Sequence, residues 1–184
     1  MRLDPADPRA GHEPDGLRGL AEHYLKDLVY GANDGIITTF AVVAGVAGAQ
    51  LDARIVLILG FANLLADGFS MGASNFLSIR SDEAVRQATG LAALEPFPGR
   101  HSVATFGAFV VAGCVPLLSY VVAATSEPFL TAVMLTLATL FVVGAARSFV
   151  TGLRWWWSGL EMLLVGSAAA AVAYGVGAFV EGLT

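Results

Sequence analysis

Long apolar runs separated by short polar ones organise this chain of 184 residues. Five stretches, 28–49, 55–79, 103–124, 128–150 and 158–180, are continuously apolar. Each is long enough to cross a bilayer as a helix, which takes about 20 residues. None alternates with period two over about ten residues, as a membrane-spanning barrel strand must. The pattern predicts an all-α integral membrane protein: a polar cytosolic tail over 1–27, then a single five-helix transmembrane domain over 28–184. The connections are too short to hold a separate soluble domain.

Two carboxylates break this pattern. Asp34 interrupts the first span, and Asp67 lies near the centre of the second. A charged side chain at bilayer depth costs about 2.5–3.5 kcal/mol on insertion scales, so it belongs in a bundle interior, a watery path or against a counter-ion. Neither run contains Lys, Arg or His. The expected partner is a cation that comes and goes, or a proton.

Helical spacing gives these acids company. Asp27, Gly31, Asp34, Thr38 and Ala41 recur at intervals of three and four, which gathers them on one face of the first helix. On the second, Asn63, Asp67, Met71 and Asn75 follow at strict i, i+4 spacing, with Ser70, Ser74 and Ser78 beside them. Carboxylate and amide oxygens suit Mn²⁺ and Fe²⁺, and a thioether disfavours Mg²⁺ and Ca²⁺. At 1.5 Å per residue, Asp34 is expected roughly 9 Å inside the cytosolic edge of its span and Asp67 roughly 18 Å from either edge of its own. These are different levels on one route. Asn33-Asp34-Gly35 is a turn signal that predicts a locally loosened helix. Gly31-x-x-x-Gly35 and Gly68-x-x-x-Gly72 predict close helix approach on the polar faces. Two-fold symmetry would double a ligand set too small for one dication, so a homodimer with its ladders facing across the axis is expected.

Composition and charge sharpen the picture. The chain is 56% hydrophobic and 14% charged, against about 25% charged in soluble domains. Arg2, Arg9, Arg18, Lys26, Arg80, Arg86, Arg100, Arg147 and Arg154 fall on one side of the predicted spans, and only Arg54 on the other. That bias puts the N-terminus in the cytosol and, with five spans, the C-terminus outside. Segment 1–27 has no basic start followed by an apolar core, so it does not read as a signal peptide; it is expected to be an irregular tail, helical from about Gly19. The net charge of −5 without a basic cluster argues against nucleic acid. The single cysteine, Cys114, excludes an intrachain disulfide and reads as a small core residue. Nine Arg to one Lys, with abundant Ala and Gly, suggests a GC-rich bacterial genome, so the expected location is the bacterial inner (plasma) membrane.

The residues outside the spans offer a cytosolic mouth. Asp82, Glu83, Glu95 and His101 lie in the link from Arg80 to Ser102, where they either gather metal or serve as a solvated connector. Glu161, just inside the fifth span, either joins this metal entry or pairs with Arg147 or Arg154, which face the same side. Trp155-Trp156-Trp157 reads as an interfacial anchor, and Pro116 as a bend in the third span. His12, His23 and His101 all fall outside the spans. There is no paired-histidine metal motif and no Gly-x-Ser-x-Gly elbow, so nothing proposes an enzyme.

Two stretches carry a family resemblance. Asp27-Leu-Val-Tyr-Gly-Ala-Asn-Asp-Gly-Ile-Ile-Thr-Thr-Phe-Ala-Val-Val-Ala-Gly and Ala62-Asn-Leu-Leu-Ala-Asp-Gly-Phe-Ser-Met-Gly-Ala-Ser-Asn-Phe-Leu resemble the vacuolar iron transporter family. The likeness extends over nearly all of 22–184. It implies five transmembrane helices, a dimer, and movement of Fe²⁺ or Mn²⁺ out of the cytosol, often against protons, between the first two helices of both subunits. By position, Asp27 and Asp34 match the family's first-helix aspartates and Met71 its second-helix methionine. Asn63 stands where plant vacuolar members have glutamate, and Asp67 where they have a further methionine, so the acid is kept but moved by one turn. The link 80–102 is too short for the glutamate-rich helical insert of those members, which points to the insert-lacking, nodulin-like branch.

The function expected is a divalent transition-metal exporter serving metal homeostasis and detoxification, with no permanent cofactor and Fe²⁺ or Mn²⁺ as cargo. Proton antiport follows from charge balance: a dication favours ionised acids, and burial favours protonated ones. The alternative is a membrane sensor or assembly subunit whose polar faces only hold helices together.

Overall fold

The computed structural model describes residues 16–122 and 127–183, and among these it is entirely helical. Five helices are long and apolar enough to cross a bilayer: α1 (Gly16–Gly48), α2 (Ala53–Ala88), α3 (Pro98–Val121), α4 (Pro128–Thr151) and α5 (Trp155–Glu181). Their ends follow local chemistry. The Asp52 carboxylate accepts the Arg54 backbone N–H at 2.7 Å and caps α2. Pro98 and Pro128 open α3 and α4, where a missing N–H costs nothing. Gly152, at φ +70°, closes α4 in the left-handed conformation. Pro116 does interrupt α3: the helix stops at Gly113, makes a 3₁₀ turn over Val115–Leu117, and resumes at Leu118–Val121. Cys114 sits at that break, partly buried against the core.

The first two helices outrun their apolar stretches. α1 has 33 residues and α2 has 36, so they are about 50 and 54 Å long at 1.5 Å per residue, well beyond a hydrocarbon layer of about 30 Å. The described part of the expected tail, from Gly16 on, is the start of α1, and α2 runs through Arg80 to Ala88. Hydropathy marks the slab of lipid, whereas a helix continues into water while its residues favour it. Residues 1–15 of the expected tail lie outside the described residues. The local loosening expected at Asn33-Asp34-Gly35 is not seen, and α1 runs through it as unbroken α-helix. A continuous backbone ladder leaves no amide unsatisfied in lipid.

α1 is the axis of the bundle. It packs mainly on α3 and α5, with α2 and α4 completing the ring. Ile36, Thr39, Phe40, Val43 and Ala44 are buried along it, meeting Phe109, Leu117, Ala132, Leu140 and Met162 from the surrounding helices. α2 and α5 keep broad apolar faces outward, including Ile58, Leu65 and Phe69 on the one and Val172, Val176 and Phe179 on the other.

The glycine pairs serve a purpose the spacing did not specify. A Cβ at Gly31 would collide with the Thr105 carbonyl oxygen, and one at Gly35 with the Phe109 carbonyl oxygen. Gly68 and Gly72 meet α3 as well: a Cβ there would lie 3.0 Å from Phe109 Cδ1 and from the Ser102 carbonyl oxygen respectively. Both pairs are therefore occupied within the chain, seating α1 and α2 against α3. They are not free to bring two subunits together.

Candidate metal pathway

One side-chain hydrogen bond ties α1 to α2 and marks their register. Asn75 Nδ2 donates to Asp27 Oδ1 at 2.7 Å and to Thr105 Oγ1 of α3 at 2.8 Å. The two helices are antiparallel. Asp34 is seven residues on from Asp27 and Asp67 eight back from Asn75, so they reach the same height to within roughly 1.5 Å. The separate levels expected from span edges are corrected: those edges locate the ends of apolar runs, not a common plane. Both carboxylates are partly buried, and among the described residues neither forms an ion pair or side-chain hydrogen bond. The nearby Thr38 hydroxyl donates to the Asp34 backbone carbonyl at 2.8 Å, not to its carboxylate.

One turn toward the other end of α2, Met71 lies between two environments. One side packs against the main core cluster. The other lines a crevice of about 430 Å³ between α1 and α2, together with Lys26, Asp27, Tyr30, Ser70, Ser74, Asn75 and Ser78. The crevice is therefore faced by hydroxyls, an amide, a thioether, a carboxylate and, from Lys26, an ammonium. Asn63, one turn beyond Asp67 in the opposite direction, is partly buried and outside the crevice.

Asp27 is a buried junction as well as a crevice wall, at 6% exposure. Besides Asn75, its Oδ2 lies 2.6 Å from His101 Nδ1, and the Thr105 hydroxyl stands 3.4 Å from Oδ1. His101 is likewise buried, in the first turn of α3 and not in a solvated link. Its other ring nitrogen, Nε2, is 3.0 Å from Glu95 Oε2. His23 Nε2 lies 3.3 Å from that same oxygen. Glu83, on the extension of α2, accepts the backbone N–H groups of Leu94 and Glu95 at 2.9 and 2.8 Å, which fixes the link carrying Glu95. Asp82 is exposed. Glu161 pairs with Arg147 and borders a different crevice of about 590 Å³, on the α4–α5 side of α1. Of the residues proposed for the cytosolic mouth, then, Glu83, Glu95 and His101 come together, whereas Asp82 and Glu161 stand apart.

His23 and Thr105 are the participants the sequence reading missed. Each left a signal: His23 is one helical turn before Asp27 and Thr105 one turn after His101, each on its partner's face. The exposed Trp155-Trp156-Trp157 run opens α5, with Trp155 edge-on to Phe141.

Five membrane-crossing helices, with acids on the inward faces of the first two, define an integral membrane protein of the transporter class. The chain belongs to the VIT family, whose family model matches residues 25–95 and 85–178. It is similar to the vacuolar iron transporter of Toxoplasma gondii, 26% identical over 97% of this chain and 82% of the relative. It is also similar to vacuolar iron transporter 1 of Oryza sativa subsp. japonica, 25% identical over 98% of this chain and 95% of the relative. The rice vacuolar iron transporter homolog 5 is 33% identical over 65% of this chain and 61% of its own length. The Toxoplasma alignment runs over 246 positions, although this chain has 184 residues. That relative therefore carries residues with no counterpart here. The two family-model segments overlap at 85–95, which covers the end of α2 and most of the link to α3.

Proposed function

We propose that the protein exports Fe²⁺ or Mn²⁺ from the cytosol in exchange for protons, along a path past Met71 to Asp34 and Asp67, with Asn63 beyond. The observation that carries this reading is the pair of mid-membrane acids at one height, without a cationic partner among the described residues. Two carboxylates side by side repel unless a dication or a shared proton sits between them. Each exchange of a dication for protons then keeps the buried charge near balance. The crevice wall of hydroxyls, amide and thioether is a suitable approach from the end of α1 that carries Lys26. Asp27 and Asn75, bonded to each other, form the fixed shoulder of that approach and hold the register on which the acid pair depends.

The positive residues near the shared end of α1, α2 and α4 support a cytosolic N-terminus. The strong preference for Arg over Lys, with abundant Ala and Gly, favours a bacterial plasma membrane in this reading, while the matched relatives are named for the vacuole and come from eukaryotes. The extra length of the relatives and the junction at 85–95 favour a short, insert-lacking link here. A homodimer remains part of the proposal, with the outward face of α2 as the contact, since its glycines are already taken by α3.

The test is uptake into proteoliposomes of Fe²⁺, Mn²⁺, Co²⁺, Mg²⁺ and Ca²⁺, with lumenal pH recorded simultaneously. Uptake of Fe²⁺ or Mn²⁺ with opposite proton movement is expected, and Asp34→Ala or Asp67→Ala should abolish it without loss of insertion. No uptake of any cation would favour the sensor or assembly reading. Near-normal uptake in either variant would remove that residue from the path.

A further inference from the structure

We infer that His23, Glu95 and His101 form a second metal site at the membrane edge, for a first-row transition dication, distinct from the Asp34–Asp67 pair. One ligand atom from each, the two Nε2 atoms and a Glu95 carboxylate oxygen, lie within 4.8 Å of one another. They come from three elements: α1, the link after α2, and the first turn of α3. Bonds of about 2.1 Å in tetrahedral array put ligand atoms roughly 3.4 Å apart. Two of the three pairs already stand at 3.0 and 3.3 Å. Rotation of the His23 ring, only partly buried at 21% side-chain exposure, closes the third.

The surroundings are those of a ligand set. His101 Nδ1–H donates to the buried Asp27 carboxylate at 2.6 Å, which fixes the tautomer and turns Nε2 toward Glu95. A carboxylate behind a ligating imidazole is the usual second support of a metal-bound histidine. Asp27 is itself held by Asn75, and the backbone at Glu95 by Glu83. A purely structural relay from Asp27 through His101 to Glu95 would need one histidine. A second imidazole, from α1, packs its ring 4.9 Å from that of His101 and brings its Nε2 to within 3.3 Å of the same carboxylate oxygen. Two imidazoles and one carboxylate suit Fe²⁺, Co²⁺ or Zn²⁺ and disfavour Mg²⁺ and Ca²⁺. Metal there would clamp the start of α1 to the α2–α3 link. The inference rests on the transport reading only for which dication is physiological.

The test is a Co²⁺ titration of the full-length detergent-solubilised protein carrying Asp34→Asn and Asp67→Asn, read by visible ligand-field absorption. One Co²⁺ per chain should bind with bands of nitrogen-rich coordination. His23→Ala and Glu95→Gln should each weaken binding at least tenfold, and Asp27→Asn by about 10–100-fold, the usual cost of losing such a support. Excess Mg²⁺ should not compete. Helix content and gel-filtration profile check that each variant is folded. Absence of Co²⁺ absorption in the parent, or unchanged affinity in His23→Ala, would overturn the site. Failure of the transport reading would appear separately, as absent uptake in proteoliposomes with the Co²⁺ titration intact.

Discussion

Replacing Asp27 with alanine tests whether the register of α1 and α2 hangs on one carboxylate. The substitution leaves His101 Nδ1 and Asn75 Nδ2 without the acceptors they reach at 2.6 and 2.7 Å, deep enough that water replaces them poorly. Thr105 loses little, because its contact to Asp27 is long at 3.4 Å and its hydroxyl also donates to the His101 carbonyl at 2.9 Å. Two hydrogen bonds to a charged group, at about 1.5–3 kcal/mol each, give a loss of about 3–6 kcal/mol. Breaking a buried ion pair by removing one partner costs a similar amount, about 3–5 kcal/mol. Ordinary interhelical hydrogen bonds in membranes average only about 0.6 kcal/mol, so the two accounts are separable. The assay is reversible unfolding in mixed micelles titrated with SDS, followed by helix signal. Asn75→Ala and the double variant complete a cycle whose coupling energy should exceed about 1 kcal/mol. A loss below about 1 kcal/mol for Asp27→Ala, or a coupling near zero, would refute the idea that this junction sets the register.

Other expectations follow from neighbouring features. Gly35→Val should disrupt the α1–α3 contact, because its side chain would drive into the Phe109 backbone; the measurement is yield of folded protein after extraction, expected to fall severely. Met71→Leu, close in volume, should keep stability within about 1.5 kcal/mol but weaken the preference for Fe²⁺ over harder cations; an unchanged selectivity series in liposomes would show that the sulfur is not a ligand. Ser74→Cys in a Cys114→Ser background should crosslink between subunits with a short bifunctional reagent, since Ser74 is exposed on the outward side of α2. An active monomer in nanodiscs would count against the dimer.

What the sequence disclosed, and what it withheld, follows from the range of the forces involved. The five helices were readable because hydropathy is local, and the break at Pro116 because proline's effect is local too. The ends of α1 and α2 were not, since polar residues at 16–27 and 80–88 carry no mark distinguishing a solvated helix from a tail. Gly31, Gly35, Gly68 and Gly72 announced close packing but not its partner, which depends on how α3 docks. Asp34 and Asp67 were legible as unusual, yet their common height required the Asp27–Asn75 pairing across 48 residues of chain. His23 stayed hidden for a similar reason: its neighbours, Glu95 and His101, lie more than seventy positions away.

The unbroken run of α2 has a mechanical consequence. Thirty-six residues without a kink make a lever, seated by Gly72 against Ser102. Asp67 is five residues to one side of that fulcrum, about 7.5 Å, and Glu83 eleven to the other, about 16 Å. A tilt of about 5° would carry Glu83 through about 1.4 Å and Asp67 through about 0.7 Å the opposite way. That is enough to loosen or tighten an ion's coordination without breaking a single backbone bond. Whatever grips the Glu83 arm of this rod, and the link it fixes, therefore pulls on the acid pair at half the amplitude.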